Sequence, residues 1–173
     1  MKRLNSALAA LVLALAAAFP AFAQGAPEPL ESRLAARKVV VVEGKEIFVD
    51  AANAKPGDVI EYVASYRNTG KDMLTGLQAT MPIPPQTEFI AGSARPARAS
   101  ASVDGRNFAD IPLKRKGMRD GKQVEEQVPY REYRALRWFA GELGGEKTAD
   151  FAARVKVIDD RTPSEPGSKG GGN

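Results

Sequence analysis

"AKPGDVIEYVASYRNTG", residues 54–70, decides the fold class. Pro56 and Gly57 supply turn chemistry, because one fixes φ and the other tolerates left-handed backbone. From Val59 the side chains alternate. Ile60, Tyr62, Ala64 and Tyr66 share one face, and Val59, Glu61, Val63, Ser65 and Arg67 share the other, more polar face. A period of two is the signature of a half-buried strand. Asn68 and Gly70 then end it.

The same punctuation recurs on both sides. Upstream, "KVVVVEGKEIFVD" (38–50) places β-branched residues on either side of Gly44, which predicts strand, turn at Glu43–Lys45, and strand. Downstream, Leu77, Ala79 and Met81 alternate until "PIPP" (82–85) stops the ladder, since Pro cannot donate to it. Phe89 and Ile90 resume a strand running toward Ser93. "ASASVDGRNF" (99–108) predicts a short strand with a hairpin-type turn at Asp104–Gly105. "YRALRWFAGEL" (133–143) carries Leu136 and Trp138 on one face. After the Gly-rich reversal "GELGGEK", Ala149, Phe151, Ala153, Val155 and Val157 alternate with polar neighbours. No long helical period appears after the N-terminal run. The expected fold is all-β, an immunoglobulin-like antiparallel β-sandwich of about seven or eight strands.

The ends read differently. Lys2 and Arg3 precede an apolar run, Ala7 to Phe19, and Ala21 and Ala23 occupy the small-residue positions of a cleavage site. Residues 1–23 therefore read as a secretory signal peptide, too short for a comfortable membrane span. Once it is cleaved, no transmembrane span is expected. Residues 24–37 read as a polar leader, with a helical turn expected around Leu30–Ala36. The domain proper is expected at 38–158. The tail 159–173, with Pro, Ser and Gly and almost nothing apolar, is expected to be disordered.

Composition restricts the chemistry. The chain has no His and no Cys, which excludes Ser-His-Asp and Cys-His catalysis and every His-ligated metal site. Loss of the signal lowers the 25 basic residues to 23 against 21 acids, so net charge falls from +4 to +2. A near-neutral exported chain is a poor match for nucleic acid. Carboxylate pairs occur at Glu125–Glu126 and Glu142–Glu146, but adjacent strand residues point to opposite faces. Asp104, Asn107 and Asp110 offer fewer oxygens than a calcium ion needs. Trp138 and Tyr62 are aromatic platforms by type and core residues by pattern. The reading is of a non-enzyme with no cofactor.

Four segments in order resemble a bacterial conserved-repeat domain of unknown function, found in exported and surface proteins. They are "AKPGDVIEYVASYRNTG" (54–70), "MPIPPQTEFIAGSA" (81–94), "SVDGRNF" (102–108) and "LRWFAGELGGEKTADFAARVKV" (136–157). The matching residues in the first are Pro56, Gly57, Asp58, Tyr62, Asn68 and Gly70. The resemblance spans roughly residues 38–158, and it implies an immunoglobulin-like sandwich whose last two strands form a hairpin. It implies no enzymatic activity. The chain departs from the pattern at Gly145, where members often have Pro, and in a charged insertion over 113–131. It holds one copy where relatives carry several.

That insertion contains "LKRKGMRDGK" (113–122), with Lys114, Arg115, Lys116, Arg119 and Lys122. Its reading is a solvated loop outside the alternating strands or, as the functional candidate, a contact surface for an envelope protein or an anionic envelope component. Localisation follows the signal: exported, with the periplasm first and the cell surface or exterior as alternatives. A polysaccharide- or small-ligand-binding role is the second functional reading, and a secreted enzyme using carboxylates is the third.

Overall fold

The computed structural model describes residues 29–119 and 121–159. The expected signal peptide and nearly all of the expected tail lie outside the described residues. In chain order the strands are β1 (Leu30–Val42), β2 (Lys45–Asp50), β3 (Val59–Asn68), β4 (Leu74–Pro82), β5 (Thr87–Phe89), β6 (Ser100–Ser102), β7 (Ala109–Asp110), β8 (Lys114–Arg119), β9 (Lys122–Gln127), β10 (Ala135–Leu143) and β11 (Thr148–Val157). One 3₁₀ turn, Tyr130–Glu132, precedes β10.

Two sheets form the sandwich. One has the order β2-β1-β3-β11-β5, the other β4-β10-β6-β7, and every named pairing is antiparallel. A separate two-stranded sheet joins β8 and β9. The described chain is thus an all-β sandwich with more strands than expected. The surplus lies in the very short β7 and in the insertion.

The alternation read from the sequence places the core. Ile60 and Ala64 of β3, Leu77, Ala79 and Met81 of β4, Leu136 and Trp138 of β10, and Phe151, Ala153 and Val155 of β11 are all buried. Trp138 reaches across the sheets to Phe151, with ring centroids 5.5 Å apart, and its indole N–H donates to the Pro96 carbonyl at 2.8 Å. Phe89 and the other buried Phe and Met side chains each contribute roughly 1.5–3 kcal/mol by leaving water.

Three expectations fail, each for a tertiary reason. The helical turn around Leu30–Ala36 is strand, because Leu30–Val39 pairs residue for residue with Asn68–Val59. The ladder offsets the helical preference of the alanines there. The last two strands form no hairpin. β10 belongs to one sheet and β11 to the other, so Gly144–Lys147 carries the chain across the sandwich. At that crossing the backbone of Gly145 lies against the Lys71 carbonyl, where any Cβ would collide with it. The third is residues 114–127, which form a hairpin of β8 and β9 with Arg119 opposite Lys122.

Other turns form where the sequence placed them. Glu43 and Gly44 both adopt positive φ, 50° and 77°, the geometry of a tight two-residue hairpin turn. Asp104 closes its own turn by accepting the N–H groups of Arg106 and Asn107, each at 2.8 Å. With the Ser102 hydroxyl and the Asn107 side-chain amide also donating, these bonds hold the Asp104 carboxyl well below the usual carboxylate range. Among the described residues no cluster of acidic side chains is arranged to hold a metal ion, and no helix is long and apolar enough to cross a membrane.

Candidate functional site

Two hairpins stand out from the sandwich, and an open cleft lies between the sheets. The basic hairpin holds the five residues singled out from sequence. Its strands pair Arg115 with Glu126 and Lys116 with Glu125. Lys114 bridges Glu125 at 2.8 Å, Arg115 bridges Glu132 at 2.7 Å, and Arg119 lies 4.0 Å from Glu126. Lys116 and Lys122 make no ion pair among the described residues. The positive charge of the predicted site is therefore largely offset inside the hairpin and by the 3₁₀ turn at its foot. That foot is firm. Tyr133 is fully buried, stacks on Phe89, and accepts the Leu113 N–H at 2.7 Å. In sequence the clustered Lys and Arg read as a loop, although the Asp-Gly dipeptide at 120–121 is a two-residue hairpin signal.

The hairpin of β1 and β2 is of the opposite kind. β2 is a margin strand, and its outer backbone edge has no strand partner among the described residues. All six of its side chains are exposed. Cross-strand partners share a face. Ile47 and Val49 therefore lie with Val40 and Val42 on one face, and Phe48 lies with Val39 and Val41 on the other. Both faces carry exposed apolar groups, with Phe48 43 % and Val41 65 % accessible. A margin strand with free N–H and C=O groups and apolar side chains is a template for pairing with another strand.

This hairpin is fastened to the sheet by charge. Arg37, Glu61 and Arg154 stand in register on β1, β3 and β11. Glu61 accepts from Arg37 at 2.6 Å and from Arg154 at 3.0 Å, and Arg154 also grips Glu46 of β2 with two bonds of 2.7 and 2.8 Å. The Arg37 guanidinium lies 3.7 Å from the Phe48 ring centre. Burial pushes the Glu61 carboxyl up, but hydrogen bonds from the two arginines outweigh it and leave the pKa below the ordinary 4.5. The Arg154 hydrogen bond lowers Glu46 in the same sense. Alternation put Glu61 on the solvent face, which is correct. Its burial there comes from two long side chains that the pattern does not reveal.

The cleft has a volume of about 750 Å³ and is lined by Ala99, Trp138, Ala140, Ala149 and Phe151, with charged groups at its rim. It exists because the short strands stop early. β6 pairs with β10 only at Ala135–Arg137, and β5 pairs with β11 only from Val155 to Val157. Among the described residues Trp138–Glu142 and Thr148–Phe151 have no strand on these sides. β10 is bulged between Phe139 and Glu142, a common device beside a binding site. Trp138 is 2 % accessible, so it forms part of the floor and offers no exposed face for stacking a sugar. Tyr62 is half-buried in the core.

No protein-family model matches the chain, and no curated protein or solved structure with significant similarity was found.

Proposed function

We propose that this chain is a non-catalytic interaction module of the bacterial envelope, exported through residues 1–23 and acting by strand addition at β2. One observation carries the reading. Ile47, Phe48 and Val49 are exposed on a margin strand whose backbone edge is free among the described residues. Strand addition uses those backbone groups for affinity and the alternating side chains for selectivity. The resemblance to the conserved-repeat domain of exported and surface proteins supports the location. The absence of His and Cys supports a binding role over a hydrolytic one.

The basic hairpin is a second contact surface in this reading. Lys116 and Lys122 are its unpaired cations among the described residues, and an acidic protein face or anionic envelope component is its target. A photo-crosslinking residue at Phe48, introduced in cells, is expected to yield a defined adduct. The same probe at Met118, on the basic hairpin, reports the second surface. Reversing Lys114, Arg115 and Lys116 is expected to weaken the Met118 adduct. Absence of any adduct at Phe48 removes the strand-addition reading.

A further inference from the structure

The chain carries an unsatisfied strand and an unsatisfied slot. β2 presents an apolar strand with one bare edge, and the cleft presents two bare edges, Trp138–Glu142 and Thr148–Phe151, over an apolar floor. We propose that the slot is filled by the β1–β2 hairpin of a second copy of this chain, adding head to tail beside β10. The inference rests on the strand-addition reading above and names the partner.

Length and charge select this occupant. The bare run Trp138–Glu142 and Lys45–Val49 contain the same number of residues, so an antiparallel register can overlay them end to end. In that register Lys45 stands opposite Glu142, and Asp50 follows at the end of the slot where β6 begins, toward Arg137 and Arg98. Lys45 and Glu142 make no ion pair within their own chain among the described residues. The Arg137 guanidinium carbon lies over the Phe108 ring, 3.6 Å from its centre, and the side chain donates to Thr80 at 3.3 Å. Arg98 lines the cleft two residues before Ser100, which pairs with Arg137, so a second cation lies near this end together with Asp110. The parallel orientation would turn Lys45 toward the Arg137 end and Asp50 toward Glu142, with like charges at both ends.

The apolar residues fall into place in the same register. Val49 comes opposite Trp138 and Ile47 opposite Ala140, both of which line the cleft. The hairpin is suited to reach the slot, since beyond Val39 it pairs only with itself and is free of β3. A second copy paired edge to edge, β2 on β2 about a two-fold axis, is less favoured. It leaves the cleft empty, and centred on Phe48 it opposes Glu46 to Asp50. Head-to-tail addition does not use up the ends of the assembly. It builds rings or open chains according to the rotation per copy.

The chain has no cysteine, which makes the test clean. Exported, purified chains carrying either Ile47→Cys or Ala140→Cys are mixed and oxidised. The expected product is a disulfide between unlike chains, with little from either variant alone. The unsubstituted chain is expected to sediment as a concentration-dependent series that grows beyond dimer. Lys45→Glu and Glu142→Lys are each expected to weaken association about tenfold, equivalent to roughly 1.4 kcal/mol. Their combination in one chain is expected to restore it, and unchanged thermal melting confirms that each variant is folded. A chain that stays monomeric at its highest soluble concentration overturns the inference. So does self-linking of Ile47→Cys as efficient as the mixed reaction. In either case an adduct of Phe48 to a different envelope protein leaves the interaction reading standing. No adduct at Phe48, even to the chain itself, removes that reading as well.

Discussion

The two projecting hairpins invert what their compositions advertise. β8–β9 carries the conspicuous charge, yet Glu125, Glu126 and Glu132 absorb most of it, and its foot is sealed by Tyr133. β1–β2 reads as an ordinary core hairpin of valines, yet neither sheet covers it and β2 lies bare at the margin. Exposed charges paired at the surface have little left to gain from a partner, because water already solvates them well. Exposed apolar area and bare backbone edges gain by association, because both are costly to leave uncovered. The apolar hairpin, not the basic one, is therefore the principal contact surface in the proposed function.

The largest expected effect breaks the fastening of the apolar hairpin. Glu61→Ala leaves Arg37 and Arg154 without their shared, mostly buried carboxylate, and an expected loss of about 2 kcal/mol is measurable by urea unfolding. Hydrogen exchange is expected to rise in β1 and β2 while β8 and β9 keep their protection. A smaller loss at the other hairpin gives the mirror experiment. Tyr133→Phe removes the oxygen that accepts the Leu113 N–H, and about 1–2 kcal/mol is expected, with faster exchange confined to β8–β9. Equal loosening of both hairpins by either substitution breaks the comparison.

Acid sharpens it further. The Glu61 and Glu46 carboxyls have folded pKa values below 4.5, so their stabilisation is full above that pH and is lost as pH falls through the depressed values. Stability measured from pH 6 to pH 3 is expected to fall over this range, with β1–β2 loosening first in hydrogen exchange. Glu61→Gln is expected to flatten the dependence. The smallest effect on stability is expected at the charges of the basic hairpin. Reversal of Lys114 and Arg115 breaks two exposed bridges and is expected to cost at most about 1 kcal/mol each. It is expected to leave self-association, followed by sedimentation, unchanged.

Much of the core was legible before the structure. Leu77, Ala79, Met81, Trp138, Phe151, Ala153 and Val155 are buried as their alternation requires, because side-chain direction along a strand follows from backbone geometry alone. The turn at Glu43–Gly44 was equally readable, since few residues adopt positive φ at low cost. The charged insertion reads as loop because Lys and Arg cluster there, although the Asp-Gly dipeptide at 120–121 is a hairpin-type signal in the sequence. The cleft was illegible. It arises where β5 and β6 stop short of their neighbours, and strand length depends on partners far along the chain.

By itself the sequence determined most of the strands, their inward faces, most of the turns and the exclusion of His- and Cys-based chemistry, all of them consequences of local backbone geometry and residue type. Tertiary structure alone decided that β10 and β11 part into different sheets, that Glu61 is clasped by two arginines, that β2 is left bare at the margin, and that an open slot remains between the sheets. The physical reason is that period-two alternation says which way a side chain points. Only long-range pairing decides whether anything stands there to cover it.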